Sequence, residues 1–88
     1  MIRKEITIRN RNGLHARPAA QFVKIASSSK CDVWVEKDGS RVNGRSIMGM
    51  MLLSAEQGSS IVIELAGTDE DDLWFKLSEL INNRFNEE

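Results

Sequence analysis

The sequence predicts an α+β domain whose helices pack on one face of a four-stranded sheet. Two observations carry this. The elements read β-α-β-β-α-β-α along the chain, and each helical segment has an apolar stripe that needs an apolar wall to cover it. The composition fits one folded domain over 1–88 with a modest core: 88 residues, 41% hydrophobic and 28% charged.

The opening Met-Ile-Arg-Lys-Glu-Ile-Thr-Ile reads as the first strand, with Ile2, the stem of Lys4, Ile6 and Ile8 directed inward. Arg9 to Gly13 is a loop. A helix over about 16–27 follows, because Ala19, Phe22, Val23 and Ala26 recur at helical spacing. It ends in Ser27-Ser28-Ser29, residues that favour caps over helix interiors. Cys31, Val33 and Val35 then alternate with Asp32, Trp34 and Glu36, a half-buried strand with Trp34 on the far face. Cys31 reads as a small buried hydrophobe. Asp38-Gly39 is a hairpin signal, and the short polar return over 40–43 suits an edge strand.

Asn43-Gly44 turns the chain again, and Ser46 is placed to cap a short helix from 47 to about 53. Ile47, Met48, Met50, Met51, Leu52 and Leu53 are more apolar residues than two helical turns can bury, so some must be exposed. Glu56-Gln57-Gly58 leads into a V/I-rich, central strand over 60–66. Thr68-x-x-Asp71 is a capping-box pattern with acidic residues in the first turn of a last helix. Leu73, Leu77, Leu80, Ile81 and Phe85 give that helix its apolar face, and the tail 86–88 is expected to fray.

Several function classes are excluded at this stage. One Cys and one His build neither a disulfide nor a usual structural zinc site, so no metal and no cofactor are expected. No apolar run is long enough to span a bilayer and no signal segment is visible, which makes a cytoplasmic location the expectation. Net charge is −1, but residues 1–60 carry ten Lys/Arg against five Asp/Glu, and residues 61–88 carry two against eight. Arg17, Lys24 and Arg45 lie in the basic part, which suits an acidic or phosphorylated protein partner. Scattered basic residues and a pI of about 5.8 do not suit nucleic acid.

The chemistry concentrates in Asn12 to Ala19, Asn-Gly-Leu-His-Ala-Arg-Pro-Ala, which holds the only His and the only Pro. A strand ends there and a helix begins. Pro18 falls in the first helical turn, where a missing N–H loses nothing. His15 sits at the helix mouth beside unpaired N–H groups, with Arg17 two residues on, a combination suited to an anion. A lone histidine is more often a surface or satisfied core residue, and these features alone leave that reading open.

The octapeptide closely resembles the active-site signature of the HPr family, the histidine-containing phosphocarriers of the bacterial phosphoenolpyruvate-dependent phosphotransferase system. Ser46-Ile47-Met48-Gly49 resembles the regulatory-serine motif of HPr proteins. The resemblance extends over essentially the whole chain. It implies an open-faced β-sandwich with an antiparallel sheet in the order 1-4-2-3, leaving Trp34, Val62 and Glu64 on the uncovered side or its edge. It further implies that His15 accepts a phosphoryl group on Nδ1 from Enzyme I and passes it to an Enzyme IIA domain. Arg17 would assist, and Gly13 and Pro18 would hold the geometry.

The apolar surplus of the short second helix makes Ile47, Met48 and Met51 an expected docking patch beside His15, and Ala20 and Lys24 are expected docking residues with them. Ser46 would be a phosphorylation site for an HPr kinase/phosphorylase, with a catabolite-control regulator as a further partner. The expected protein is a monomeric carrier without independent turnover, inserted in no membrane. Leu53-Ser54-Ala55 lacks a glycine common in the family, and Met50-Met51-Leu52 is bulkier than usual. Both features lean toward the branch that serves regulatory or nitrogen-related phosphotransferase chains, and the alternative function is that of a nitrogen-branch or purely regulatory HPr-like binding protein that controls a transcription factor or enzyme.

Overall fold

The structure, a computed structural model, describes residues 1–87. Its strands are β1 (Ile2–Thr7), β2 (Asp32–Lys37), β3 (Ser40–Asn43) and β4 (Ser60–Ala66); its helices are α1 (Ala16–Ser27), α2 (Ile47–Leu52) and α3 (Glu70–Asn82). The antiparallel sheet runs in the order β1-β4-β2-β3, as expected. The residue pattern explains why β4 is interior. Ile61, Ile63 and Leu65 are buried on its inner side, while Val62 and Glu64 are half-buried on the other. The polar β3 has one neighbour only and forms the edge. Between β2 and β3, Asp38 and Gly39 both take positive φ (50° and 86°), the left-handed pair that a two-residue hairpin requires.

One core lies between the inner sheet face and the helices. Phe22 and Ala26 of α1, Met50 of α2, Leu73, Leu77 and Ile81 of α3 meet Val33, Val35, Ile61, Ile63 and Leu65 there. In β1, Ile2 and Ile6 pack partly buried against this core, and Ile8 just beyond is fully buried. The Lys4 ammonium lies 5.4 Å from the centre of the Trp74 ring, so its stem follows the same side. On the outer face Arg3 bridges Glu36 and Glu64 at 3.0 and 3.1 Å. Arg41 pairs with the same two carboxylates and covers Trp34 at 4.9 Å. Trp34 is therefore on the uncovered side, with Arg41 stacked over its ring.

Four local expectations are corrected. First, Phe85 is buried but not helical: α3 ends at Asn82, and Arg84, Phe85 and Asn86 take left-handed φ of 56°, 54° and 59°. That reversal turns Phe85 back into the core. Second, the tail is not frayed through Glu87, whose carboxylate is engaged by Asn10 and His15; Glu88 lies outside the described residues. Third, Thr68 makes no capping box. Asp69 is the N-cap residue without a side-chain cap bond, because its carboxylate accepts from the Ser29 hydroxyl (2.9 Å) and the Cys31 thiol (3.0 Å). Both bonds hold that carboxyl below its ordinary range. Fourth, Cys31 is buried but not merely apolar, since it donates to Asp69, and burial pushes its thiol up.

Candidate functional site

The loop before α1 is built to present His15. Gly13 has φ 67°, and a Cβ there would lie 2.2 Å from the Ala55 carbonyl oxygen, so backbone packs where any side chain would sit. That close approach lets the Leu14 N–H donate to the Ala55 carbonyl at 2.8 Å, tying the loop to the segment after α2. Asn10, fully buried, closes the loop from inside. Its carbonyl accepts from the Gly13 N–H at 3.2 Å, and its side-chain Nδ2 donates to the Gly13 carbonyl at 2.8 Å.

His15 is the N-cap residue of α1, in extended conformation (φ −84°, ψ −169°). Its imidazole makes no cap bond and keeps 41% of its side-chain surface exposed, with Nε2 3.1 Å from Glu87 Oε2. Pro18, the third helical residue, is buried and sacrifices no intrahelical bond. The first turn of α1 contains no acidic residue to neutralise the positive helix end. Arg17 is exposed and lines a cleft of about 390 Å³ with Arg11, Asn12, Asn86 and Glu87. A basic, donor-rich mouth beside an exposed imidazole can hold a phosphoryl group on the ring through charge-assisted hydrogen bonds.

Ser46 caps α2 as expected: its Oγ accepts from the Gly49 N–H at 2.9 Å. Ile47, Met48 and Met51 are exposed, and so is Leu52 at 73%; Met50 and Leu53 face the core. Ala20 and Lys24 lie exposed on α1. Arg45 plays a different part from the one its charge suggested. Its guanidinium donates to the Ser29 carbonyl at 2.7 Å and to the Cys31 carbonyl, so it braces the core edge.

Two residues of interest escaped the sequence reading, Asn10 and Glu87, while Leu52 belonged to the apolar surplus of α2 but was not among the expected docking residues. Glu87 accepts from Asn10 Nδ2 at 3.0 Å through Oε1 and meets His15 Nε2 at 3.1 Å through Oε2. The buried Phe85 two residues earlier is the one signal that the chain is anchored this far. Among the described residues, no group of three or more His, Cys, Asp or Glu side chains is placed to hold a metal ion. Among them, too, no helix is long and apolar enough to cross a membrane.

Comparison with known proteins gives one consistent result. Residues 2–83 match the family described as the PTS HPr component phosphorylation site. The phosphocarrier protein HPr of Neisseria meningitidis is 47% identical over 87 residues, covering 99% of this chain and 98% of that protein. The HPr-like protein Crh of Bacillus subtilis is 41% identical over 78 residues, covering 89% of this chain and 92% of its own. Among solved structures, HPr-C-His from Thermoanaerobacter tengcongensis superposes with a TM-score of 0.95 at 45% identity, covering 100% of this chain and 99% of that one.

Proposed function

The chain belongs to the PTS HPr family, and from that premise we propose that it is a phosphocarrier with His15 as the residue that bears the phosphoryl group. The observation that carries the reading is the exposed His15 imidazole at the mouth of α1, unused in capping and beside Arg17. Transfer needs a nucleophile that is neutral near neutral pH and can be phosphorylated reversibly, and imidazole meets both demands. Arg17 and the first-turn N–H groups stabilise the phosphoryl oxygens. Gly13 and Pro18 keep the loop and helix start in place. The group comes from Enzyme I and goes to an Enzyme IIA domain. Ala20, Lys24, Ile47, Met48 and Met51 form the surface on which those proteins dock.

Ser46 is the regulatory position in this reading. A phosphate on Ser46 adds nearly two negative charges beside Ile47 and Met48, hindering docking by repulsion and desolvation. Likeness to Crh of Bacillus subtilis, described as a catabolite repression protein, favours a second reading in which the chain acts mainly in regulation, by binding a transcription factor or enzyme. One experiment separates the two: incubation with Enzyme I and phosphoenolpyruvate, followed by intact mass at neutral or alkaline pH. The expected result is one added, acid-labile phosphoryl group, absent in His15→Ala with an unchanged far-UV circular dichroism spectrum, and acquired more slowly by Ser46→Asp. Undiminished phosphorylation of His15→Ala ends the assignment. No phosphorylation of the wild type favours the binding role.

A further inference from the structure

We propose that Met48 and Met51 are sites of reversible oxidation: a peroxide converts their thioethers to sulfoxides, and the oxidised α2 surface docks Enzyme I poorly. The inference rests on the reading of α2 as a docking surface and adds a chemical modification to it. The chain has four methionines, and three of them fall within residues 48–51. The fold treats those three differently. Met48 is 73% exposed and Met51 42%, whereas Met50 is fully buried. Met48 and Met51 stand three apart on the outer side of α2, and the neighbouring Ile47 and Leu52 are exposed as well. The fourth methionine, Met1, is exposed at the end of β1 away from the His15 loop, and its amino group pairs with Glu70 at 2.9 Å.

A thioether has no proton to lose before it reacts, so access to the sulfur decides which methionine is reached. A sulfur lone pair attacks one peroxide oxygen, and the O–O bond breaks. That oxygen stays on sulfur; the other takes the bonding pair and the protons and leaves as water. Sulfur is oxidised by two electrons and the peroxide is reduced by two. The remaining sulfur of the chain, Cys31, is buried and donates to Asp69, which keeps it as the thiol and not the reactive thiolate.

The product replaces a flexible apolar side chain with a polar one that accepts hydrogen bonds. In the free protein the new group projects into water, so neither the core contact of Met50 nor the Ser46 cap of α2 is disturbed. In a complex the same group has to shed its water at an apolar contact, a cost unless the partner supplies a donor. The same exposure that admits peroxide admits methionine sulfoxide reductases, one for each sulfur epimer, so the change can be reversed.

The test treats the whole protein with hydrogen peroxide at neutral pH, removes the peroxide, and maps oxygen uptake by peptide mass spectrometry. Met48 should be oxidised first and Met51 next, with Met50 unmodified and the far-UV circular dichroism spectrum unchanged. Phosphorylation by untreated Enzyme I and phosphoenolpyruvate should then fall about fivefold, the size expected when an interface side chain is disabled. The loss should appear as a raised KM with the maximal rate kept, and the two reductases should restore the original value. In Met48→Leu/Met51→Leu, peroxide should leave the variant's own untreated rate in place although Met1 is oxidised. An unchanged rate with Met48 and Met51 fully oxidised overturns the proposal. So does an equal loss in the treated double variant, or oxidation of Met50 with loss of the helical spectrum, which would trace the effect to unfolding. Met48→Asp separates the two readings. If that variant is impaired while the oxidised protein is not, only the oxidation switch falls; if both are phosphorylated at the wild-type rate, the docking reading has failed with it.

Discussion

Ser54 holds a conformation that its own side chain opposes. It follows the C-cap residue of α2 with φ 53°, and its N–H donates to the Met51 carbonyl at 3.1 Å. The residue that ends a helix in this left-handed state is usually glycine, because a Cβ there crowds the backbone. The missing glycine in Leu53-Ser54-Ala55 is thus a departure with a physical cost. Ser54→Gly should raise unfolding stability by about 0.5–1 kcal/mol, after allowing for glycine's greater freedom in the unfolded chain. Urea denaturation will read this as a higher midpoint with an unchanged slope; a lower midpoint would mean that the hydroxyl holds something in place. Gly13 shows the opposite case, a site where glycine is present because the Ala55 carbonyl leaves no room for a Cβ.

Helix α2 is too short to bury what it carries. Of its six residues, Met50 turns fully into the core while Met48 and Leu52 are each 73% exposed. Helical spacing explains the split, since Met50 and Leu53 lie three apart on one face and the rest project outward. The exposed set is apolar and rich in flexible methionine, which suits docking to more than one partner. Met48→Asp should weaken the complex with Enzyme I by more than about 1 kcal/mol, the level that marks an energetically important interface residue. Titration calorimetry beside circular dichroism will check it. Met50→Asp, in contrast, should unfold the domain by burying an unpaired charge. Normal Enzyme I binding by Met48→Asp would remove α2 from the docking surface.

Across the whole molecule, the uncovered sheet face is covered by its own charges. Arg3 and Arg41 each bridge Glu36 and Glu64, and these hydrogen bonds hold the Glu36 carboxyl at about 2, below its ordinary 4.5. A carboxyl lowered in the folded state binds protons more readily when unfolded. Its contribution is therefore complete above about 4.5 and is lost as pH falls toward about 2. Glu64, Asp69 and Glu70 are shifted in the same direction. Thermal unfolding followed from pH 6 down to about 2 should show the wild type losing stability more steeply than Glu36→Gln below the ordinary carboxyl range of about 4.5. Added salt should shrink the difference, because these side chains are exposed and screened. Parallel curves would mean that these ion pairs contribute nothing to the acid response.

Much of the architecture is written in local patterns. Alternation in 33–35 and 61–65, helical spacing in 19–26 and 73–81, and the Asp38-Gly39 turn each follow from a period or a backbone preference confined to a few residues. The exposed His15 at a helix start, with Arg17 and Pro18, was legible for the same reason, as was the Ser46 cap. Contacts between distant segments were not. Asp69 abandons the cap that its position suggests because folding brings Ser29 and Cys31, some 40 positions away in sequence, to its carboxylate. Phe85 leaves the helical pattern in a left-handed reversal after α3, and its ring is fully buried in the core there. Glu87 meets a histidine 72 positions earlier, and no local preference encodes such a pairing. It exists because the fold brings the end of the chain to the loop before α1, and a buried amide there holds the carboxylate against the ring.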